Sequence, residues 1–200
     1  MNEALNSIAA AWSATGNLEI VSVVFGLVYI FLAARENIWC WPAAFIGTGT
    51  AIFIFWDASL LMESGLNVYY LLMALFGWWQ WQYGSNNKSE LAISSWNIKS
   101  HISAFMLIGV LTIFSGYFLS RNTNAALPFV DSFTTWGAVV TTWMVTRKVL
   151  QNWLYWIVIN PTAAWLFSVR DLHLYSLLFI AYTLIAIFGY IKWRRSFVAS

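Results

Sequence analysis

The chain has 200 residues, of which 60% are hydrophobic and only 9% charged, and its formal net charge is +2. Ordinary soluble domains carry about 25% charged residues, so this apolar excess is more than one core can hide, and the outer surface has to face lipid. The small charge makes no case for nucleic acid, and the lone Cys40, set in an apolar run, cannot form an internal disulfide and reads as packing.

Lys and Arg are absent before Arg35, so the start lacks the basic region of a signal peptide. Within segment 1–18, Leu5, Ile8 and Trp12 share one helical face beside Asn6, Ser7 and Ser13, which predicts a short helix lying at the membrane interface. A helix needs about 20 apolar residues to cross a bilayer core. Seven candidates follow: Ile20–Ala34, Trp39–Trp56, Met62–Tyr83, Ile102–Leu119, Ser132–Thr146, Leu150–Ser168 and Leu172–Lys192. The first and fifth are short and need tilt or close neighbours. Backbone groups in lipid must be satisfied within the segment, and no alternating strand pattern is present, so these are helices. The predicted fold class is an all-α membrane protein with seven transmembrane helices.

Glu19–Trp81 aligns without a gap on Asp131–Trp193. Arg35 falls on Arg147, Trp41 on Trp153, Tyr70 on Tyr182, Phe76-Gly77 on Phe188-Gly189 and Trp81 on Trp193. Composition bias does not place Arg, Gly and Trp landmarks at one constant offset. A duplicated unit in an apolar chain points to two halves around one pathway, and hence to transport. Each unit holds three spans, and the unpartnered fourth span between them restores direction. The predicted architecture is two parallel three-helix bundles (19–83 and 131–195), a cytoplasmic linker (84–101) and a bridging helix (102–120), a 3+1+3 layout. With the N-terminus outside, inside segments hold Arg35, Lys88, Lys99, Arg147, Lys148, Lys192, Arg194 and Arg195, and outside segments hold only Arg121 and Arg170. That asymmetry orients the chain with its C-terminus in the cytoplasm.

No Asp, Glu, Lys or Arg lies near the centre of a span. Intramembrane charges mark proton relays and ion sites, so their absence argues against a coupled pump and against an enzyme. His101 and His173 have no carboxylate at ligand spacing, so no metal site is predicted. The polar content of the spans is uncharged. In the sixth, Asn152, Trp156 and Asn160 are spaced four apart on one helical face, with Trp153 adjoining. Asn160 precedes Pro161, which removes a backbone donor, and Pro161 aligns with Gly49, so both second helices are expected to carry a weak point at mid-depth. Gly47, Thr48 and Gly49 read equally as small residues for close helix packing. In the third span, Asn67, Tyr70, Ala74 and Trp78 or Trp81 form a polar and aromatic stripe. Asn67 reads either as a pathway residue or as an interhelical hydrogen bond. Trp39, Trp41, Trp79, Trp81 and Trp193 fall at helix ends and are predicted to form an aromatic belt, with Trp78 and Trp153 undecided.

The run Glu63-Ser-Gly-Leu-Asn67-Val-Tyr-Tyr70 followed by Gly77-Trp-Trp-Gln-Trp81 resembles the PnuC family of bacterial vitamin B3 transporters. So does Arg147-Lys148 followed by Asn152-Trp153-Leu-Tyr-Trp156-Ile-Val-Ile-Asn160. The resemblance covers nearly the whole chain and implies facilitated uptake of nicotinamide riboside across a bacterial inner membrane. It further implies an architecture like that of the SWEET sugar transporters, homotrimers, trapping of substrate by phosphorylation inside, and no cofactor or coupling ion. At Asn67 the family often has Gln, and at Gly47 a second Asn. A pyridinium cation is well served by aromatic faces, each contributing roughly 0.5–2 kcal/mol. Trp153, Trp156 and Tyr70 are candidates, with Trp78 beside them. The carboxamide and ribose need donors and acceptors, which Asn67, Asn152 and Asn160 can supply. No basic residue is placed to hold a phosphate, so the mononucleotide is expected to be excluded. A carrier of another small vitamin, nucleoside or sugar, thiamine foremost, is the alternative on the same fold.

Overall fold

The computed structural model describes residues 16–57, 61–85, 91–123, 127–170 and 173–199. Nearly all of the predicted interfacial helix at 1–18 therefore lies outside the described residues. Within them there are seven α-helices and no named strand: α1 Asn17–Ala34, α2 Cys40–Asp57, α3 Leu61–Tyr83, α4 Ile98–Asn122, α5 Pro128–Thr146, α6 Asn152–Val169 and α7 His173–Ala199. Each contains one of the predicted spans or overlaps it to within a few residues.

The helix limits follow local chemistry. Asn97 caps α4, its side-chain oxygen accepting the Ser100 N–H at 2.9 Å. The helix thus starts at Ile98 and absorbs the last residues of the predicted linker. Pro128 opens α5, where its missing N–H costs nothing. Residues 91–97 are extended rather than free. The Ser94 N–H donates to Lys148 O at 2.9 Å, and the Leu150 N–H donates to Ser94 O at 2.8 Å. This segment lies as a strap over the turn between α5 and α6.

Helix contacts run in a closed circuit. α1 packs on α2, α2 on α3, α3 on α5, α5 on α6, α6 on α7, and α7 returns to α1. α4 stands outside the circuit, packs along α5 and reaches α6 where His101 Nδ1 lies 2.9 Å from Tyr155 Oη. It approaches closely because Gly116 offers no Cβ against the Phe129 ring, and Trp136 Nε1–H donates to Ser115 Oγ at 3.0 Å. Ala104 and Ile108 face inward and Phe105 stacks on Tyr155 of α6 at 5.1 Å, whereas Val110, Phe114 and Phe118 form an exposed apolar face, as lipid requires. Among the described residues, three helical stretches combine length and apolarity sufficient to cross a membrane by themselves: Asn17–Ala34, Ile98–Asn122 and Tyr175–Ala199. The others carry polar residues turned inward, such as Ser64 and Gln80 on α3, Thr134, Thr141 and Thr142 on α5, and Asn152 and Asn160 on α6. A helix shielded by neighbours tolerates these where a lone span does not.

Four tryptophans anchor the main core. Trp41, Trp81, Trp153 and Trp193 are at most 3% exposed. Trp41 meets Trp81 edge-on at 5.3 Å and Trp153 meets Trp193 edge-on at 5.4 Å, while Trp81 and Trp193 touch at 6.0 Å. Trp41 occupies the space a Cβ would need at Gly77, and Trp153 does the same at Gly189. Trp41, Trp81 and Trp193 are thus not belt residues. Each packs among hydrophobic neighbours inside the bundle, and the Trp81 and Trp193 indole N–H groups find carbonyl acceptors there. Trp39 and Trp79 do point outward, at 63% and 53% exposure. Gly77→Ala and Gly189→Ala should each push an indole from its seat and lower stability by about 1–3 kcal/mol, the usual cost of overpacking. A reduced melting midpoint of the detergent-solubilised variants checks this, with Gly65→Ala, which meets open space, as the control.

Candidate functional site

The α6 residues divide into two levels. Asn152 and Trp153 open the helix, and both are fully buried. The Asn152 side-chain N–H donates to Val149 O at 2.7 Å, while its oxygen has no partner. Trp153 belongs to the tryptophan cluster, with its indole N–H unpaired. One turn on, Trp156 is half-buried and packs against both core clusters. Asn160 is 1% exposed, and its amide nitrogen has no hydrogen-bond partner. A buried amide left unpaired costs about 1–3 kcal/mol, and Asn160 shares this state with the Asn152 oxygen and the Trp41 and Trp153 indole nitrogens.

The proline next to it does not break the helix. α6 runs through Pro161, which is exposed, while Asn160 faces inward. α2 is likewise continuous, and Gly47 lies close to α1: an added Cβ would meet Gly26 N and Phe25 Cβ at 3.3 Å. Ser22 Oγ–H donates to Gly47 O at 3.0 Å. Thr48 bonds back to its own helix at Ala44 O. At Gly47 the small residue serves close packing.

On α3, Asn67 and Tyr70 are half-buried, and Tyr70 lies 5.6 Å from Tyr69. Trp78 is half-buried, packed against the main core and edge-on to the outward Trp39 at 6.0 Å. Among the described residues, α3 and α6 are not neighbours in the circuit. The structure therefore brings Asn152, Trp153, Trp156 and Asn160 together along α6, and Asn67 and Tyr70 along α3, with the circuit between them.

Three tyrosines extend this lining. Tyr69 Oη–H donates to Val139 O on α5 at 2.9 Å. Tyr182 on α7 places its hydroxyl where a Cβ of Gly26 on α1 would be, 2.8 Å away. Tyr29 on α1 stands beside Trp41 at 6.0 Å. Sequence reading passed over them, although Tyr182 is the aligned partner of Tyr70 and that pairing was a usable signal. Tyr29 aligns with Thr141 and offered none.

One end of the circuit is shut. Trp81 Nε1–H donates to Val145 O at 3.1 Å, and Trp193 Nε1–H donates to Ala33 O at 3.0 Å. The aligned residues of the two units thus make the same bond to each other's helix end. Lys148 Nζ lies 3.6 Å from Glu36 Oε2 and 4.6 Å above the Trp81 ring. At the same end Arg147 sits over Trp143 and Phe76, which stack on each other at 5.3 Å across the α3–α5 seam.

The sequence profile of the family described as nicotinamide mononucleotide transporter matches residues 16–195. The chain belongs to the PnuC family. Among similar proteins, the nicotinamide riboside transporter PnuC of Escherichia coli (strain K12) is 26% identical over 204 residues, covering 90% of this chain and 85% of that protein. The riboflavin/roseoflavin transporter RibM of Streptomyces davaonensis is 20% identical over 179 residues, covering 88% and 83%. The crystal structure of the vitamin B3 transporter PnuC has the same fold, with a TM-score of 0.74 at 18% identity over 98% of this chain and 89% of that one. A PnuC-family protein with several apolar helices among its described residues is a multi-pass membrane transporter. Its shut end makes equal demands on both halves. Trp81→Phe and Trp193→Phe each delete one bond to a helix-end carbonyl, and each should lower stability by about 0.5–1.5 kcal/mol. Matched thermal-melting shifts for the two variants, against a Trp79→Phe control on the outer surface, check it.

Proposed function

We propose that the chain is a facilitative carrier that takes up nicotinamide riboside across a bacterial inner membrane by alternating access of two parallel three-helix halves. The observation that carries the reading is Asn160: a buried, unpaired amide one turn from the half-buried Trp156, in spans without a central charge. An aromatic face for the pyridinium and a free amide for the carboxamide or ribose are what this ligand needs. Asn67, Tyr70, Asn152, Trp153 and Trp78 complete the proposed set of substrate contacts. The reciprocal tryptophan bonds support a two-fold relation between the halves, with α4 as the bridging helix of a 3+1+3 layout. Gathering of Arg35, Arg147 and Lys148 at the shut end supports a cytoplasmic position for it, with the N-terminus outside. The wide apolar face of α4 is compatible with homotrimer contacts.

Riboside is favoured over mononucleotide on charge. Lys148 is paired with Glu36, and Arg170 donates to Asp131 at 3.0 Å, so neither cation is free to hold a phosphate dianion. The similarity to a riboflavin carrier keeps other vitamins, with thiamine, as the second reading. Proteoliposomes containing the protein should take up labelled riboside, and unlabelled riboside should compete where mononucleotide, riboflavin, thiamine and glucose do not. Uptake of mononucleotide at the riboside rate would overturn this account of the pocket. Trp156→Ala should abolish riboside binding in calorimetry with the fold retained, and Asn160→Leu should weaken it about tenfold or more, through loss of one buried hydrogen bond. Normal binding by both variants would return these residues to a packing role.

A further inference from the structure

The turns that end α1 and α5 are built alike. Asn37 N–H donates to Leu32 O and Glu36 N–H to Ala33 O, both at 3.0 Å. In the aligned places Val149 N–H donates to Met144 O and Lys148 N–H to Val145 O, again at 3.0 Å. This helix-ending motif puts one residue in the left-handed region, and glycine is the usual choice there because it has no Cβ to clash. Here the residues are Glu36 at φ 58° and Lys148 at φ 48°. Neither can relax to a right-handed conformation without losing the helix-ending bonds. Strain kept at two aligned positions needs an interaction that uses the side chains.

That interaction is an ion pair across the two units. Glu36 and Lys148 reach toward each other between the two units, with Nζ and Oε2 3.6 Å apart, and the Lys148 side chain is only 5% exposed. Glu36 and Lys148 are each other's aligned partners, so a two-fold operation exchanges them. The pair lies over the tryptophan cluster: Lys148 caps Trp81, and the N–H groups of Glu36 and Lys148 share their acceptor carbonyls, Ala33 O and Val145 O, with Trp193 and Trp81. Separating the two turns therefore breaks the ion pair and both tryptophan bonds together.

We propose that Glu36 and Lys148 form a latch between the two halves, and that their separation is the event that opens this end of the carrier. The proposal rests on the transporter reading for its role, but not for its geometry. The opposite charges at exchangeable positions make a distinctive prediction. Two like charges should force the end apart, while exchanging the two residues should restore it, because Lys at 36 would stand to Trp193 as Lys148 stands to Trp81.

Cys40 is the chain's one cysteine, fully buried in the same cluster, and it reports on opening without any added label site. The experiment measures the rate of Cys40 alkylation by N-ethylmaleimide in the purified full-length protein in detergent, without substrate. Glu36→Lys and Lys148→Glu should each speed labelling at least tenfold, and the double exchange should return it to within threefold of the parent. Glu36→Gly and Lys148→Gly relieve the left-handed backbone while deleting the latch. They should label faster with unchanged helix content by circular dichroism, and they carry the test if the like-charge variants do not fold. Unchanged labelling in the glycine variants, or a double exchange that labels as fast as the single reversals, overturns the latch. Riboside uptake is measured separately in the parent protein. Its failure there removes the transport reading and leaves the labelling pattern standing, whereas flat labelling with normal uptake removes the latch alone.

Discussion

A helix ends with carbonyl groups that its own backbone cannot satisfy, and where that end is buried among other helices water does not reach them. Four such carbonyls here, Leu32, Ala33, Met144 and Val145, accept bonds from the turns that follow them. Ala33 and Val145 accept a second bond, from a tryptophan of the opposite unit. Those two bonds tie the end of α1 to α7 and the end of α5 to α3, the two seams at which the units meet. The rest of the arrangement is built around that requirement. Trp81 and Trp193 must lie flat in the interior to reach the carbonyls. Trp41 and Trp153 fill the space beside them, and Gly77 and Gly189 leave room for those rings.

Polarity inside the protein follows from the same closure. A residue such as Asn160 or Thr141 is tolerable in a span only when neighbouring helices screen it from lipid. α6 is screened on both flanks by α5 and α7 and is rich in such residues, whereas α4 leans on the outside of the circuit, against α5 and Tyr155 of α6, and is apolar over most of its surface. The two units are not equivalent in chemistry. α2 carries Cys40, Gly47 and Thr48 where α6 carries Asn152, Ile159 and Asn160. The first unit supplies close packing at that level, and the second supplies amides. The strap at 91–97 adds to the asymmetry by pinning the α5–α6 turn through Ser94.

Buried amides and paired cations are the ground on which passive uptake is proposed. No charged residue is placed at mid-span to couple movement to a proton or an ion. The family assignment establishes a membrane transporter, and the cost of burying charge is the separate argument behind the proposed uncoupled mechanism.

Much of the fold was legible in the chain because lipid imposes a length and a composition on every span. Ile20–Ala34 and Asn17–Ala34 differ by less than one turn, and Trp39–Trp56 and Cys40–Asp57 by one residue at each end. The constant offset between Arg35 and Arg147, and between Trp81 and Trp193, also followed from the letters alone. What the letters could not decide is which way each side chain points. Apolar residues occur on every face of a membrane helix, so the periodicity that separates core from surface in water is lost, and Trp41, Trp81 and Trp193 read as interface anchors when they are core. For the same reason Pro161 read as a break although it faces outward, and the meeting of Glu36 with Lys148 was invisible, since contact between distant turns depends on how the helices close into a circuit. Sequence determined the spans and their duplication; only tertiary packing decided which polar groups are left buried and unpaired.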